Sequence, residues 1–305
     1  EIYTNYSIEK IILVYPSARR NKEGRYFVPL AILLSKNLRN FDLVWFKPFP
    51  VRPSLLEIIT AIITPLMAKV IISHEQLYVD LGRKIPGIGK RVFWSPFGET
   101  VSYKKRNSST KNPILRKSNV IGFMGYWYKS KGLHILLDAF EEIMKNNDSN
   151  YSLLLIGGRS PKNFQTEYEK KQWERIQKSK FSDNITHVPE VSEEALSELL
   201  NTINCYVLPY TFMFTSRSSL SPAVNLGLPT IISSPNKNQS GFLKHSKHAH
   251  LVKPKKKREL AASILKVCEE EAYGIKLSQN IIKLKSLYSW DSLFKTLKSE
   301  GNDFY

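Results

Sequence analysis

The stretch "VIGFMGYWYKSKGLHILLDAF", Val120 to Phe140, changes its hydrophobic period in the middle. "VIGFMG" is a short apolar run closed by Gly125, which predicts a strand covered on both faces. From Lys131 onward Leu133, Leu136, Leu137, Phe140 and Ile143 recur at helical spacing, so "KGLHILLDAFEEIMKNN" predicts an amphipathic helix. A buried strand, a basic loop with glycine at its edge and a helix form the start of a parallel α/β unit.

Downstream the alternation continues. "YSLLLIGG" (151–158) predicts a buried strand ending in two glycines, and "QTEYEKKQWERIQKSK" a charged, exposed helix. "NITHVPEV" is a short strand, "SEEALSELLNTI" a helix with Ser192 at its N-cap and Glu193 and Glu194 at its positive end, and "CYVLPY" a further strand. In "TSRSSLSPAVNLGLPTIIS" (215–233) a serine-rich loop feeds a short helix, with Ser221 as N-cap and Pro222 at the first helical position. Gly227 and Pro229 end that helix, and "TIIS" reads as a strand buried on both faces. "HLVKP" (250–254) adds a last short strand, and "KRELAASILKVCEEE" and "NIIKLKSLYSWDSLFKTLKSE" close the chain as helices.

Upstream, "KIILVYPS" (10–17), "FDLVWF" (41–46), "KVIISHEQL" (69–77) and "KRVFWSPFG" (90–98) read as strands separated by helices. The polar, basic run "ETVSYKKRNSSTKNPILRKSN" (99–119) is the expected linker. The chain is thus expected to be α/β, with two doubly wound units in tandem and ligand sites at the carboxyl ends of strands facing a cleft. The expected domains are residues 1–118, 119–283 and a C-terminal helix over 284–305.

The 305 residues carry 45 Lys+Arg against 27 Asp+Glu, a net charge of +18 that is concentrated in the first domain. Such an excess points to an anionic partner: nucleic acid, phospholipid headgroups or a phosphorylated substrate; a merely solubilising surface is the bland alternative. Nucleic acid is disfavoured, because no helix-turn-helix, zinc site or aromatic-and-basic strand motif is present. The most apolar run, "LLEIITAIITPLMAKVII" (55–72), is broken by Glu57, Pro65 and Lys69 and does not read as a membrane span. Cys205 and Cys268 form no CxxC pair, which suits buried thiols in a reducing compartment. No secretory leader is legible at Glu1, and the absence of an initial methionine fits a trimmed N-terminus. The expected location is cytoplasmic, including the membrane face.

Several residues suit an anion site. The serine-rich loop Arg217, Ser218, Ser219, Leu220 and Ser221 precedes a helix start, whose amides and dipole favour negative charge. Lys131 is a cation at a helix start, where the dipole disfavours it unless an anion is bound; a solvated lysine is the alternative. Gly125 and Gly157 end strands and permit close approach, and Gly24 does the same for the basic loop "ARRNKEGR" or merely marks a turn. His74 in "IISHEQL" is either a cleft residue or a histidine satisfied beside Glu75. "KPKKKRE" (253–259) reads as a solvated loop or a membrane contact. No Asp-x-Asp pair or acidic–histidine cluster occurs, so neither metal nor cofactor is expected.

From about residue 120 onward these pieces, in this order, resemble the donor-binding domain of GT-B fold glycosyltransferases. The resemblance is closest to the retaining, nucleotide-sugar-dependent enzymes of family 4, the glycosyl transferases group 1. It rests on "GYWYKSKGLHILLDAF", "LLLIGG", "NITHVPEVSEEALSELL", "CYVLPY" and "AVNLGLPTIIS", with "YSWDSLFKTL" similar to the family's C-terminal helix that crosses back onto the first domain. It implies a GT-B architecture of two Rossmann-like domains and a hexosyltransferase-type enzyme of glycan biosynthesis. The implied donor is a UDP- or GDP-linked sugar, and the implied acceptor a saccharide or lipid-linked saccharide, with transfer by retention. It assigns phosphate binding to Lys131, a catalytic or acceptor-positioning role to His74, and donor contacts to Gly24, Gly125, Lys129, Gly157, Arg217, Ser218, Ser219, Leu220 and Ser221.

The chain also departs from the family's pattern. The paired glutamates of the family fall on Phe214 and Pro222, and no Asp or Glu lies between Glu198 and Glu259. The family's arginine after the strand glycine is Tyr126, with Lys129 as the nearby replacement of its charge. A catalytically silent GT-B protein that serves as a binding partner or scaffold is therefore the competing expectation.

Overall fold

The computed structural model describes residues 12–15, 41–46, 68–73, 79–80, 83–84, 86–87, 89–94, 103, 119–146, 150–158, 166–211, 218–236, 238–240 and 242–289. The chain divides into two compact units, Glu1–Phe97 with Ser289–Tyr305, and Gly98–Tyr288.

In the first unit the four apolar runs form β1 (Ile12–Tyr15), β2 (Phe41–Phe46), β3 (Ala68–Ser73) and β4 (Val92–Trp94). They lie side by side in sequence order and every pair is parallel, with Leu13 opposite Val44 and Val44 opposite Ile71. Parallel neighbours need long crossovers, which the spacing of the runs provides.

The second unit opens with β5 (Asn119–Met124), followed by α1 (Leu133–Asn146), β6 (Tyr151–Ile156), α2 (Glu167–Gln177), β7 (Ile185–Val188), α3 (Glu193–Leu200) and β8 (Cys205–Leu208). Next come α4 (Ser221–Leu226), β9 (Thr230–Ser233), a small hairpin of β10 (Gln239–Ser240) and β11 (Leu243–Lys244), β12 (His250–Val252), α5 (Lys257–Glu269) and α6 (Glu271–Ile281). Six strands form one sheet in the order β12-β9-β8-β5-β6-β7, all parallel. The first strand of the unit is central. The chain moves outward from it on one side, then returns to its other side at β8, which is the Rossmann order with its switch point between β5 and β8.

Alternate residues of each strand face opposite cores. Ile121, Phe123, Leu153, Leu155, Cys205, Val207 and Ile231 join one cluster with α1, α5 and Leu277 of α6. Val120, Leu154, Ile156, Tyr206, Leu208 and Ile232 join the other with Ala223, Val224 and Leu226 of α4. The period of two explains why apolar runs without alternation were required here. Cys205 is buried and Cys268 packs beside the same cluster; both are free thiols, and burial pushes the Cys205 thiol up.

Three local expectations change. The charged helix α2 is not exposed all round, since Glu169, Gln172 and Ile176 are buried. Glu169 can be buried because it completes a capping box, accepting from the Thr166 amide at 2.6 Å while Thr166 Oγ1 accepts from the Glu169 amide at 3.2 Å. Ser221 is not an N-cap: a 3₁₀ turn, Ser218–Leu220, runs straight into α4, leaving Leu220 at the cap with helical angles and no side-chain bond. The helix expected from Asn280 begins earlier, as α6, and tightens into a 3₁₀ segment over Ile282–Tyr288. The residues after Ser289 lie outside the described set. Gly227 does end α4 in a left-handed conformation, at φ 71°, and Ser192 does cap α3. Among the described residues no helix is long and apolar enough to cross a membrane.

Candidate functional site at the sheet switch point

β5 and β8 end side by side, and their loops are clamped together. After Met124 the chain turns at Gly125, at φ +131°, and enters a 3₁₀ turn over Lys129–Lys131 closed by Gly132 at φ +76°. The Lys131 amide donates to the Tyr128 carbonyl at 2.8 Å, and the Gly132 amide to the Lys129 carbonyl at 3.2 Å. A methyl group at Gly132 would lie 1.7 Å from the Pro209 carbonyl oxygen, so only glycine lets this turn rest on the exit of β8. On the other side of the seam, the Thr211 amide donates to the Ser130 carbonyl at 3.0 Å.

This clamp holds Lys131 across the switch point. Its ammonium donates to Ser219 Oγ at 3.2 Å and stands 5.1 Å from the centre of the Tyr210 ring. A methyl group at Gly125 would lie 3.7 Å from Lys131 Nζ, so the ammonium stands over the glycine that ends β5. Ser219 is held in turn by two tyrosines. The Tyr210 hydroxyl hydrogen-bonds its Oγ, and the Tyr206 hydroxyl donates to its carbonyl at 2.8 Å. Burial pushes the Tyr206 hydroxyl well up, so it remains a donor over the whole physiological range.

The loop after β6 adjoins this seam. Gly157, at φ +81°, lies so close that a methyl group there would be 3.5 Å from the backbone of Gly125. His187 of β7 supports that loop, with Nε2 2.9 Å from the Gly157 carbonyl and its ring 4.8 Å from Trp127 and 5.4 Å from Trp173. Tyr126 and Tyr128 stack on each other at 5.8 Å with their rings exposed.

The structure thus brings Gly125, Lys131, Gly157 and Ser219 to one place. Lys129 begins the turn and is exposed, and Ser218 is exposed at the start of the second turn. Leu220 is buried in the core beside α4, and Ser221 Oγ accepts from the Asn225 side chain at 3.2 Å. Gly24, His74 and Arg217 lie outside the described residues, as does Phe214. Pro222 is buried in the first turn of α4. Sequence reasoning overlooked Tyr206, Tyr210 and His187. The usable signal was two tyrosines in and just after the apolar strand "CYVLPY", where each buried hydroxyl must find a partner. Among the described residues no group of three His, Cys, Asp or Glu side chains could hold a metal ion.

Chemically, a fixed ammonium, hydroxyls and glycine-lined backbone at the carboxyl edge of a parallel sheet suit a phosphorylated ligand. Comparison with known proteins bears on this. The chain is similar in fold to the sucrose-phosphate synthase of Thermosynechococcus elongatus (TM-score 0.67, 18% identity, 87% of this chain and 68% of that one). It is also similar to Anabaena Alr3699/HepE in complex with UDP-glucose (TM-score 0.70, 13% identity, 93% and 77%). A mutant of S. aureus TarM, in complex with fondaparinux, α-GlcNAc-glycerol and UDP, gives a TM-score of 0.63 at 14% identity over 89% of this chain and 53% of that one. At these identities the likeness is one of fold, and that fold is GT-B. No curated protein matches the chain in sequence. The description "Glycosyl transferases group 1" matches residues 104–284, from the linker through the end of α6 and including every residue of the clamp. That is more than half of the chain, and the chain belongs to the group 1 glycosyltransferases.

Proposed function

We propose that the protein transfers a hexosyl unit from a nucleoside-diphosphate sugar, UDP-linked in the first instance, to a saccharide or lipid-linked saccharide acceptor. The observation that carries this is Lys131, fixed over Gly125 at the switch point by Ser219 and Tyr210. As the glycosidic bond breaks, negative charge grows on the diphosphate, and a positioned cation in a protected site lowers the barrier. Metal independence belongs to this reading, with the ammonium supplying positive charge at the leaving group. Retention of configuration rests on the family resemblance. The basic residues 1–118 are assigned to the acceptor and to anionic lipid at the cytoplasmic membrane face, where each Lys or Arg near the surface contributes ~1 kcal/mol.

The test is a panel of UDP- and GDP-linked sugars scored for hydrolysis, transfer and thermal protection, with the parent chain and Lys131→Ala. A donor at 100 times its dissociation constant stabilises by ~2.7 kcal/mol. Lys131→Ala is expected to lower turnover by about 100-fold, the size of loss that follows removal of one charge-stabilising donor. Thermal protection without turnover, in any acceptor mixture, favours the silent binding protein, a reading that Pro222 in place of a carboxylate supports. Equal retention on neutral and anionic vesicles would discard the membrane part.

A further inference from the structure

We propose that Tyr210 is a positioning residue for Lys131, acting through Ser219; the proposal rests on the nucleotide-sugar reading only for the identity of the ligand. A lysine side chain carries about 2 kcal/mol of rotamer freedom, so an ammonium that must meet a phosphate needs holding. Ser219 Oγ holds it at 3.2 Å. A serine hydroxyl is a weak anchor by itself, because three staggered wells compete. The Tyr210 hydroxyl, on a ring that is 1% exposed, hydrogen-bonds Ser219 Oγ and selects the well that faces Lys131. The backbone of Ser219 is tied separately, by the Tyr206 hydroxyl to its carbonyl at 2.8 Å.

Hydroxyl chemistry makes the chain consistent. The lysine ammonium only donates, so Ser219 Oγ must accept from it, and its remaining proton and lone pair serve the bond to Tyr210. Tyr206 and Tyr210 flank the end of β8, and both reach the same serine, one through its main chain and one through its side chain. The same tyrosine ring lies under the ammonium at 5.1 Å, so Tyr210 touches both ends of the Ser219–Lys131 bond. A group that aims the cation in this way governs recognition of the diphosphate, and leaves the nucleoside untouched.

Tyr210→Phe keeps the ring and deletes the hydroxyl. Three results are expected. Lys131 becomes about fivefold more reactive toward an amine-acylating reagent in peptide-resolved labelling, the change that loss of one ordinary hydrogen bond confers. The dissociation constant for UDP rises by about the same factor while that for uridine is unchanged. In a Lys131→Ala background, Tyr210→Phe leaves UDP affinity where Lys131→Ala put it. Ser219→Ala, which removes the bridging oxygen, gives the same labelling increase and provides a second route should the phenylalanine variant fold poorly. Unchanged Lys131 labelling in both variants overturns the proposal. So does an equal loss for uridine and UDP, or an undiminished effect of Tyr210→Phe without Lys131. Should the parent bind no nucleotide while Lys131 labelling still rises, the nucleotide-sugar reading falls and the positioning role of Tyr210 stands.

Discussion

Two polar clusters in the second unit each place a cation near the sheet, one between two helices and one at the switch point. At the outer face, Arg175 of α2 bridges to α1. Its guanidinium meets Asp138 at 2.6 Å and Glu141 at 3.0 Å and donates to the His134 carbonyl at 3.3 Å, with Lys257 adding a weaker contact to Asp138 at 3.9 Å. All these side chains are partly exposed, and charge is matched by charge. At the switch point, Lys131 is held by a serine hydroxyl and an aromatic ring, both neutral and both buried. Matched ions fasten helices to each other. A lysine bonded to a buried hydroxyl and set against a buried ring is instead positioned at the sheet edge where a ligand enters.

That difference can be broken experimentally, and the largest effect is expected where the backbone itself is at stake. Gly132→Ala places a methyl group against the Pro209 carbonyl at a left-handed backbone position. It is expected to cost about 3 kcal/mol or more in urea unfolding and to abolish nucleotide protection. A variant of near-parental stability would show that the two loops are not clamped as described. Arg175→Met strips the matched cluster of its centre and leaves Asp138 and Glu141 facing each other. A loss of about 1–2 kcal/mol is expected, with UDP affinity and turnover per folded molecule unchanged. A drop in turnover would merge the two clusters into one functional unit.

Smaller effects sharpen the same division. Thr166→Ala removes the cap of α2 on which Arg175 is carried, and about 1 kcal/mol of stability should go with it, read from the thermal midpoint. The smallest effect is one of pH. Burial lowers the His134 pKa below its usual 6.5, against the opposing influence of Asp138. The unfolded chain therefore binds more protons than the folded one once pH falls below 6.5, and stability declines with falling pH in that window. His134→Gln should flatten this acid-side slope while leaving stability at pH 8 nearly as it was. An unchanged slope in denaturant titrations between pH 5 and 7 would assign the decline to another group.

Much of the fold was legible because its signals are local. A parallel strand buried on both faces must be an unbroken apolar run, and β5, β6, β8 and β9 all read that way. Helix stops announced themselves through glycine, as at Gly227, and starts through capping residues, as at Ser192. Where the reading slipped, a neighbour in the chain or in space had intervened. Ser221 has the residue type of a cap, but the preceding 3₁₀ turn had already set its backbone angles to helical values. Glu169 looks like a solvent residue until Thr166 and the α2 N-terminus satisfy its carboxylate.

The amino-acid order alone carries the class of fold, the restart of the pattern near residue 119 and the candidacy of Lys131, since each depends on period, punctuation and residue type within a short window. It could not place Ser219 against a lysine 88 residues away, nor enlist Tyr206 and Tyr210 to hold that serine. Those contacts exist because the chain reverses direction across the sheet between β5 and β8, and two loops far apart in sequence share one edge. Gly132 belongs to both accounts. As a letter it marks the start of a helix; only the carbonyl of Pro209, folded against it, makes glycine the one residue that fits.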